Sequence, residues 1–296
     1  MTGWQAHTVV TDDYVDPAPV AALNALFDSG AAAIGVGDPL PPLWHWAALA
    51  RWPVSSAIGA DGHPARGSFL PPVELPRRMF AGGTVSFPGT VHVGSTVRRE
   101  ARVVAVDAKN GRSGPLTVVE VEIRLFAETG ALAVVEHQNL VYRGAGTAAP
   151  AIETDRTYQW PRNPVQRSSE GDWQLHTDPT VLMRFSAATA NPHRIHYDLS
   201  YATAVEGYPG LVVHGPLMTL AMAETLRWEQ PDRRPSRLRH RNIAPLFCGD
   251  PARIRRRETT DGDLALAVHT EPTSGQAVEH TVLTADFTVD GDPAHA

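Results

Sequence analysis

The chain has one cysteine, Cys248, and one lysine, Lys109, among its 296 residues. A lone cysteine excludes an intrachain disulfide framework and suits a reducing cytoplasm, the expected location. With one lysine among 26 basic residues, arginine must make any phosphate or carboxylate contact. There is no basic excess: 32 acidic residues against 26 basic ones give a formal charge of -6, which excludes a general nucleic-acid binder. No stretch approaches the roughly 18 consecutive apolar residues of a membrane helix. The run from Ala31 to Leu49 is broken by glycine, aspartate and three prolines. The first residues, MTGWQAHTVVTDDY, lack a basic region followed by an apolar run, so no export signal is expected. A phosphate-cradling loop is missing too, and Gly82-Gly83 is no dinucleotide fingerprint.

What is present suffices for a sizeable core: 43% of residues are apolar and 20% charged, which excludes disorder for most of the length. At about 150 residues per domain, two domains are expected. Asp16 and the following prolines predict a helix over Pro17–Phe27, with Val20, Leu23 and Phe27 on one face. Trp44, Trp46 and Trp52 mark an aromatic segment, read as core or as the wall of an acyl tunnel. Turn residues over Ser55–Pro76 predict a long surface excursion. Thr96–Val106, Leu116–Phe126 and Leu132–Tyr142 are β-branched, with turns at Lys109-Asn110-Gly111 and Glu128-Thr129-Gly130, and read as an antiparallel meander.

The second half repeats this order. Thr180–Ser186 is a short strand or helix, and Asp198 caps a short helix to Val205. Pro216–Trp228 is apolar nearly all round, the mark of a buried helix. Strands follow over Ala252–Glu258, Leu264–His269 and Val278–Val289, with turns at Gly262 and Gly275. A Pro-to-Gly corner precedes the strands of each half: Pro88 to Gly94-Ser95, and Pro245 to Gly249-Asp250, an offset of 155 between the glycines. The pattern implies a duplicated α+β unit, each half a curved antiparallel sheet around a helix: a double hot-dog. The expected boundaries are residues 1–145, a linker over 146–167, and 168–296.

Chemistry is concentrated between Arg184 and Leu217, where Asn191, His193, Arg194, His196, Tyr197 and Asp198 fall within eight residues. Taken singly, each has a bland reading: a hydrogen-bonded structural histidine, a helix-capping aspartate. Their density beside His214-Gly215-Pro216, at a helix start, raises the functional reading. Backbone N–H groups there can hold an oxyanion, and a base nearby completes the set for proton chemistry next to a thioester carbonyl.

The stretch NPHRIHYD followed by EGYPGLVVHGPL resembles the signature of the MaoC-like hydratase and dehydratase family, Asp-x-Asn-Pro-(aliphatic)-His-x-Asp with a later His-Gly-x-(aliphatic). GDPLPPLWHW, LPPVELPRRMFAGG and GRSGPL resemble the N-terminal unit of its two-hot-dog branch. That branch holds the mesaconyl-C4-CoA hydratases, itaconyl-CoA hydratases and type 2 hydroxyacyl-thioester dehydratases. The resemblance implies a hydro-lyase interconverting 2-enoyl-CoA and 3-hydroxyacyl-CoA, as in the conversion of mesaconyl-C4-CoA to citramalyl-CoA, with no cofactor and no metal. It implies His196, Asn191, His193 and Gly215 as the catalytic set, and Arg194, Tyr197, His214 and Pro216 as substrate contacts. The implied partner is an acyl-CoA or acyl-carrier-protein thioester, with neither nucleic acid nor membrane, in a possible homodimer.

Aligning His-x-Asp on His196-Tyr197-Asp198 puts Asn191 where the family has its catalytic aspartate, and asparagine takes up no proton. A second register, matching Asn191-Pro192 to the signature's Asn-Pro, puts Thr189 at the aspartate and Arg194 at the histidine. The first keeps His-x-Asp and the aliphatic residue. Other readings are weaker. His193, His196 and Asp198 have ligand types for a metal but no further histidine. Arg77-Arg78, or Arg253, Arg255 and Arg257 on one strand face, suit either a solvated surface or CoA phosphates. A hot-dog thioesterase and a non-catalytic acyl-CoA binder are the competing functions. The first half is expected to carry no chemistry, with His45, His63 and His92 scattered among turns.

Overall fold

A computed structural model describes residues 3–111, 114–145, 163–258, 263–270 and 277–287. Eleven strands form one antiparallel sheet: β1 (Thr8–Tyr14), β2 (Arg77–Ser86), β3 (Thr96–Gly111), β4 (Gly114–Phe126), β5 (Leu132–Arg143), β6 (Val165–Arg167), β7 (Trp173–Leu175), β8 (Pro235–Asn242), β9 (Ala252–Arg257), β10 (Leu264–Thr270) and β11 (Val278–Phe287). Their order across the sheet is β1-β3-β4-β5-β2-β8-β11-β10-β9-β7-β6. Strands from before residue 145 fill one side and those from after residue 163 the other, joined where β2 pairs with β8. At this junction Thr84 pairs with Arg239, 155 residues away, the same interval that separates Gly94 from Gly249.

The described residues form four α-helices: α1 (Pro17–Phe27), which packs against the next two, α2 (His45–Ala48), α3 (Pro179–Ala188), and α4 (Gly215–Glu229), which packs on the sheet. Asp16 caps α1 through the Ala18 N–H, and Asp178 caps α3 through the Val181 N–H, each just before a proline in the first turn. The whole run Leu217–Leu226 of α4 is buried, and the helix packs against β2, β10 and β11. It carries one acid into the core, Glu224, which accepts from Trp44 Nε1 at 2.8 Å and is paired with Arg227.

The predicted helices α1 and α4 and the three strands of each half are present. The strand β3 runs through Lys109-Asn110-Gly111, which pair with Leu116, Pro115 and Gly114, so these residues belong to the strand and not to a turn. Residues 112–113, residues 146–162 of the expected linker, the turns at Gly262 and Gly275, and the end of Val278–Val289 lie outside the described residues. Thr180–Ser186 belongs to a helix, and the turn after Asp198 is a short π-helix, Tyr201–Val205. Three longer elements were not legible: β1, β2 and β8.

A buried polar cluster lies in the first half. Glu136, 1% exposed, accepts from Trp46 Nε1 at 2.8 Å and Gln138 Nε2 at 2.8 Å, and meets His45 Nε2 at 2.9 Å. Burial raises a carboxyl, yet the bonds from His45, Gln138 and Trp46 outweigh it and hold Glu136 below its ordinary range. Replacing one member of a buried pair strands the other. His45→Ala is therefore expected to cost about 3–5 kcal/mol in urea unfolding while leaving turnover of the folded protein intact. A loss of turnover with normal stability would put His45 in the chemistry instead.

Candidate active site

The end of α3 builds the site. Ala190 takes a left-handed conformation, φ 46°, and the Asn191 N–H returns to the Ser186 carbonyl at 2.9 Å. The chain then reverses through Pro192 into a tight 3-10 turn over Arg194–His196. The Asn191 side-chain oxygen accepts the His193 N–H at 3.1 Å, which fixes the amide over this turn. The Val212 N–H donates to the Ile195 carbonyl at 3.0 Å, so the strand-like lead into His214 and α4 lies directly on the turn.

His196 is buried, and its Nδ1 donates to the Val212 carbonyl at 2.7 Å. A carbonyl only accepts, so Nδ1 carries the proton and Nε2 presents a lone pair. The His196 ring stacks on His214, with centroids 3.6 Å apart and planes 19° from parallel, and meets His193 edge-on at 5.4 Å. His214, fully buried, shares a 2.8 Å hydrogen bond between its Nε2 and Ser186 Oγ; its Nδ1 is buried with no hydrogen-bond partner among the described residues. Burial pushes His196 down to about 3, opposed by the Val212 carbonyl and aided by His63. Burial and neighbouring positive charge push His193 and His214 far below their ordinary value as well. All three rings are therefore neutral at pH 7, the form in which an imidazole accepts a proton.

Gly215 opens α4, with Pro216 next in its first turn. A Cβ on Gly215 would sit 2.3 Å from Asn242 Nδ2. Asn242 has little room to yield: it donates to the Phe80 carbonyl at 2.8 Å and accepts from Thr281 Oγ1 at 2.9 Å. The start of α4 and the histidine cluster are consecutive in the chain, through His214.

Arg194 and Tyr197, expected to contact substrate, are engaged within the loops. Arg194 donates to Asp198 through Nε at 3.0 Å and Nη2 at 2.8 Å, and to the Ala60 carbonyl at 3.0 Å, with its guanidinium over the Tyr201 ring. Tyr197, half exposed, donates its hydroxyl to the Pro192 carbonyl at 3.0 Å. Asp198 also accepts the Tyr201 N–H at 3.0 Å and so does not join His193 and His196 in a ligand set. Arg77 pairs with Glu206 at 2.6 Å. Arg253 and Arg255 pair with Asp172, and Arg257 with Glu279. The pairs of Arg253, Arg255 and Arg257 lie on a partly solvated strand face, and that of Arg77 is largely buried.

The structure adds two residues from the predicted surface excursion, Asp61 and His63. Asp61 accepts from His63 twice, at its backbone N–H (3.0 Å) and at Nδ1 (3.0 Å). The His63 ring lies 3.9 Å from that of His193. Their loop is fastened to the Arg194–His196 turn by the Arg194 N–H, which donates to the Asp61 carbonyl at 3.0 Å. Gly62 between them has φ 90°, and a Cβ there would lie 1.9 Å from the Pro192 oxygen. Asp61, His63 and His193 bring three potential metal-ligand atoms within 4.8 Å of one another. The Asp61 carboxylate is already held by His63, and the positive charge of Arg78 bears on both, so the donor set favours a hydrogen-bonded pair over a cation site. The sequence signal was the Asp-Gly-His tripeptide itself, hidden in a segment rich in turn residues.

Four rings therefore run in series, His63, His193, His196 and His214, from an aspartate at one end to a serine at the other. The family model for hydroxyacyl-thioester dehydratase type 2 matches residues 43–248, which contain every one of these groups. Mesaconyl-C(4)-CoA hydratase of Chloroflexus aurantiacus is 38% identical over 261 residues, 87% of this chain and 89% of the relative. The mitochondrial hydroxyacyl-thioester dehydratase type 2 of Schizosaccharomyces pombe is 25% identical over 280 residues, 85% of this chain and 90% of the relative. Among solved structures, HtdX of Mycobacterium tuberculosis has a TM-score of 0.63 at 18% identity, covering 95% of this chain and 100% of its own. A second protein of that organism, described as a double hotdog fold, has a TM-score of 0.54 at 14% identity, covering 97% and 96%.

Proposed function

The chain belongs to the type 2 hydroxyacyl-thioester dehydratase family, and from that membership we propose that its histidine series adds water to, and removes it from, a thioester-conjugated double bond. The protein is a hydro-lyase that interconverts an enoyl thioester and its 3-hydroxyacyl form. The observation that carries the site assignment is the bond from His196 Nδ1 to the Val212 carbonyl, which leaves Nε2 as a fixed, dry lone pair.

The conjugated C=C is electrophilic at its β-carbon. A water held by the Asn191 side chain gives a proton to His196 Nε2 as its oxygen bonds to the β-carbon. The π pair moves to the α-carbon and thioester oxygen, and the Gly215 N–H at the start of α4 holds the resulting enolate. Removal of one such donor typically costs about 2.7–4 kcal/mol of barrier. The α-carbon then takes a proton from the cluster, which returns to its neutral state; dehydration is the reverse. His193 stands between His196 and His63 as the further acid–base group, and His214 and Pro216 flank the thioester. Arg194 and Tyr197 hold the loop that carries these groups.

In the same proposal residues 168–296 carry the reacting groups, residues 1–145 shape the acyl pocket, and 146–167 join them. The thioester is an acyl-CoA, the protein works in the cytoplasm, and two copies associate as a homodimer. The identity with mesaconyl-C(4)-CoA hydratase supports a short, branched acyl chain bearing a second carboxyl group. The expected result is a kcat/KM for mesaconyl-C4-CoA at least about tenfold above that for crotonyl-CoA, the low end of what a fitted pocket discriminates. A ratio below one would move the substrate to straight-chain enoyl thioesters.

Asn191 is tested by two substitutions. Asn191→Ala loses the water-holding amide and should lower kcat at least about tenfold. Asn191→Asp restores the family's residue type and should keep part of the activity. Full activity in Asn191→Ala would remove it from the site.

A further inference from the structure

The stretch between Asn191 and His214 brings imidazoles together but gives them no carboxylate. Asn191 is an amide, and Asp198 is bound to Arg194 on the exposed side of the turn. The carboxylate arrives from the other half of the chain. We infer that Asp61 and His63 form the charge-balancing pair of the reaction, taking over from the first half the role of the aspartate that Asn191 replaces. This rests on the hydratase reading.

When water loses its proton to His196, one positive charge appears among the rings. His63 is faced by Asp61, Arg66, Arg78 and His193, and His193 by His63, His196, Arg77 and Arg78. His196 is faced by His193, His214 and the Val212 carbonyl. The arginines oppose the incoming charge and the rings share it. Among the described residues, Asp61 is the one carboxylate hydrogen-bonded to a member of the series. Its negative charge lowers the cost of holding the proton, and its bond to Nδ1 keeps the His63 lone pair at Nε2. No bond is made or broken at Asp61: it stays a carboxylate throughout. It acts through His63 on His193 and His196, and is a positioning residue.

The loop is built to deliver this pair. Arg194 reaches back to two of its carbonyls, those of Ala60 and Asp61, and Gly62 lets the backbone close onto Pro192. A loop that only covered the site would need no half-buried aspartate–histidine pair against the catalytic histidines.

The test is the pH profile of kcat with a saturating enoyl-CoA for wild type, Asp61→Asn, Asp61→Glu and His63→Gln. Asp61→Asn keeps the shape and removes the charge. It should lower kcat about 10²-fold, the low end for a proton-transfer group, with KM changed less than about threefold. The acidic limb reports protonation of the ring series. Without the negative charge the series protonates less readily, so the limb should move to lower pH by about one unit or more. Asp61→Glu should return the limb toward its place and recover part of the rate, and His63→Gln should behave like Asp61→Asn. Wild-type kcat in Asp61→Asn would overturn the inference, as would a fall in kcat with the limb unmoved, the signature of mere loop support. Should Asp61→Asn fail to fold, Asp61→Glu and His63→Gln decide on the same two readouts. An active wild type with inactive His196→Ala and normal Asp61→Asn would remove this pair alone; an inert wild type would remove the hydratase reading with it.

Discussion

His196→Ala should lower kcat by about 10²–10⁴-fold, the range for loss of a positioned acid–base group. The substitution deletes the Nε2 lone pair, and it also frees the Val212 carbonyl and unstacks His214. Some loss of stability is therefore expected with it. His196→Gln separates the two effects. Its amide can still donate to Val212, but an amide is no base at neutral pH, so its stability should recover while its kcat stays low. The measurement is initial-rate kinetics on both variants beside a thermal melt of each. Wild-type turnover in His196→Ala, with Asn191→Ala inert in the same assay, would move the base to His193.

Gly62→Ala is expected to match that loss at a position that touches no reacting atom. At φ 90° an alanine is strained, and its Cβ would lie 1.9 Å from the Pro192 oxygen, backbone against backbone. No rotamer relieves that contact, so the 59–64 loop must lift from the catalytic turn and take Asp61 and His63 with it. A displacement of about 1 Å can cost 10²-fold in rate, and this one exceeds that. The core is not involved, so the fold should survive. The expected result is a fall in kcat/KM of at least about 10²-fold, with faster tryptic cleavage after Arg66, just beyond the lifted segment. Normal kinetics would show the loop to be bystander structure.

The sequence disclosed what periodicity and capping control. The apolar run of α4, the proline-started α1 and the β-branched meander are local patterns, and the structure has them. It did not disclose β2 and β8, the pair that joins the halves. Arg-Arg-Met-Phe-Ala-Gly-Gly ends in two glycines and has a register shift at Phe80/Gly82, and Arg-Leu-Arg-His-Arg-Asn alternates with His240 and Asn242 where an apolar face would be read. Asn191, His193, His196 and His214 were legible as a dense cluster near a helix start. Asp61 and His63 were not, because their partner lies some 130 residues on and a turn-rich segment carries no mark of what it will cover. The hydrogen bonds of Arg194 and Tyr197 were not legible either, because only the folded loops create them.

A hydro-lyase moves water and leaves the thioester intact. The direct measurement follows two signals from one incubation with mesaconyl-C4-CoA: the absorbance of the conjugated thioester and the release of free thiol. Hydration removes conjugation without releasing thiol, and the 3-hydroxyacyl product offered in the same cuvette should regain the absorbance. Thiol appearing as conjugation disappears would identify a thioesterase instead, and two flat traces, repeated with crotonyl-CoA, would contradict any reaction at these histidines.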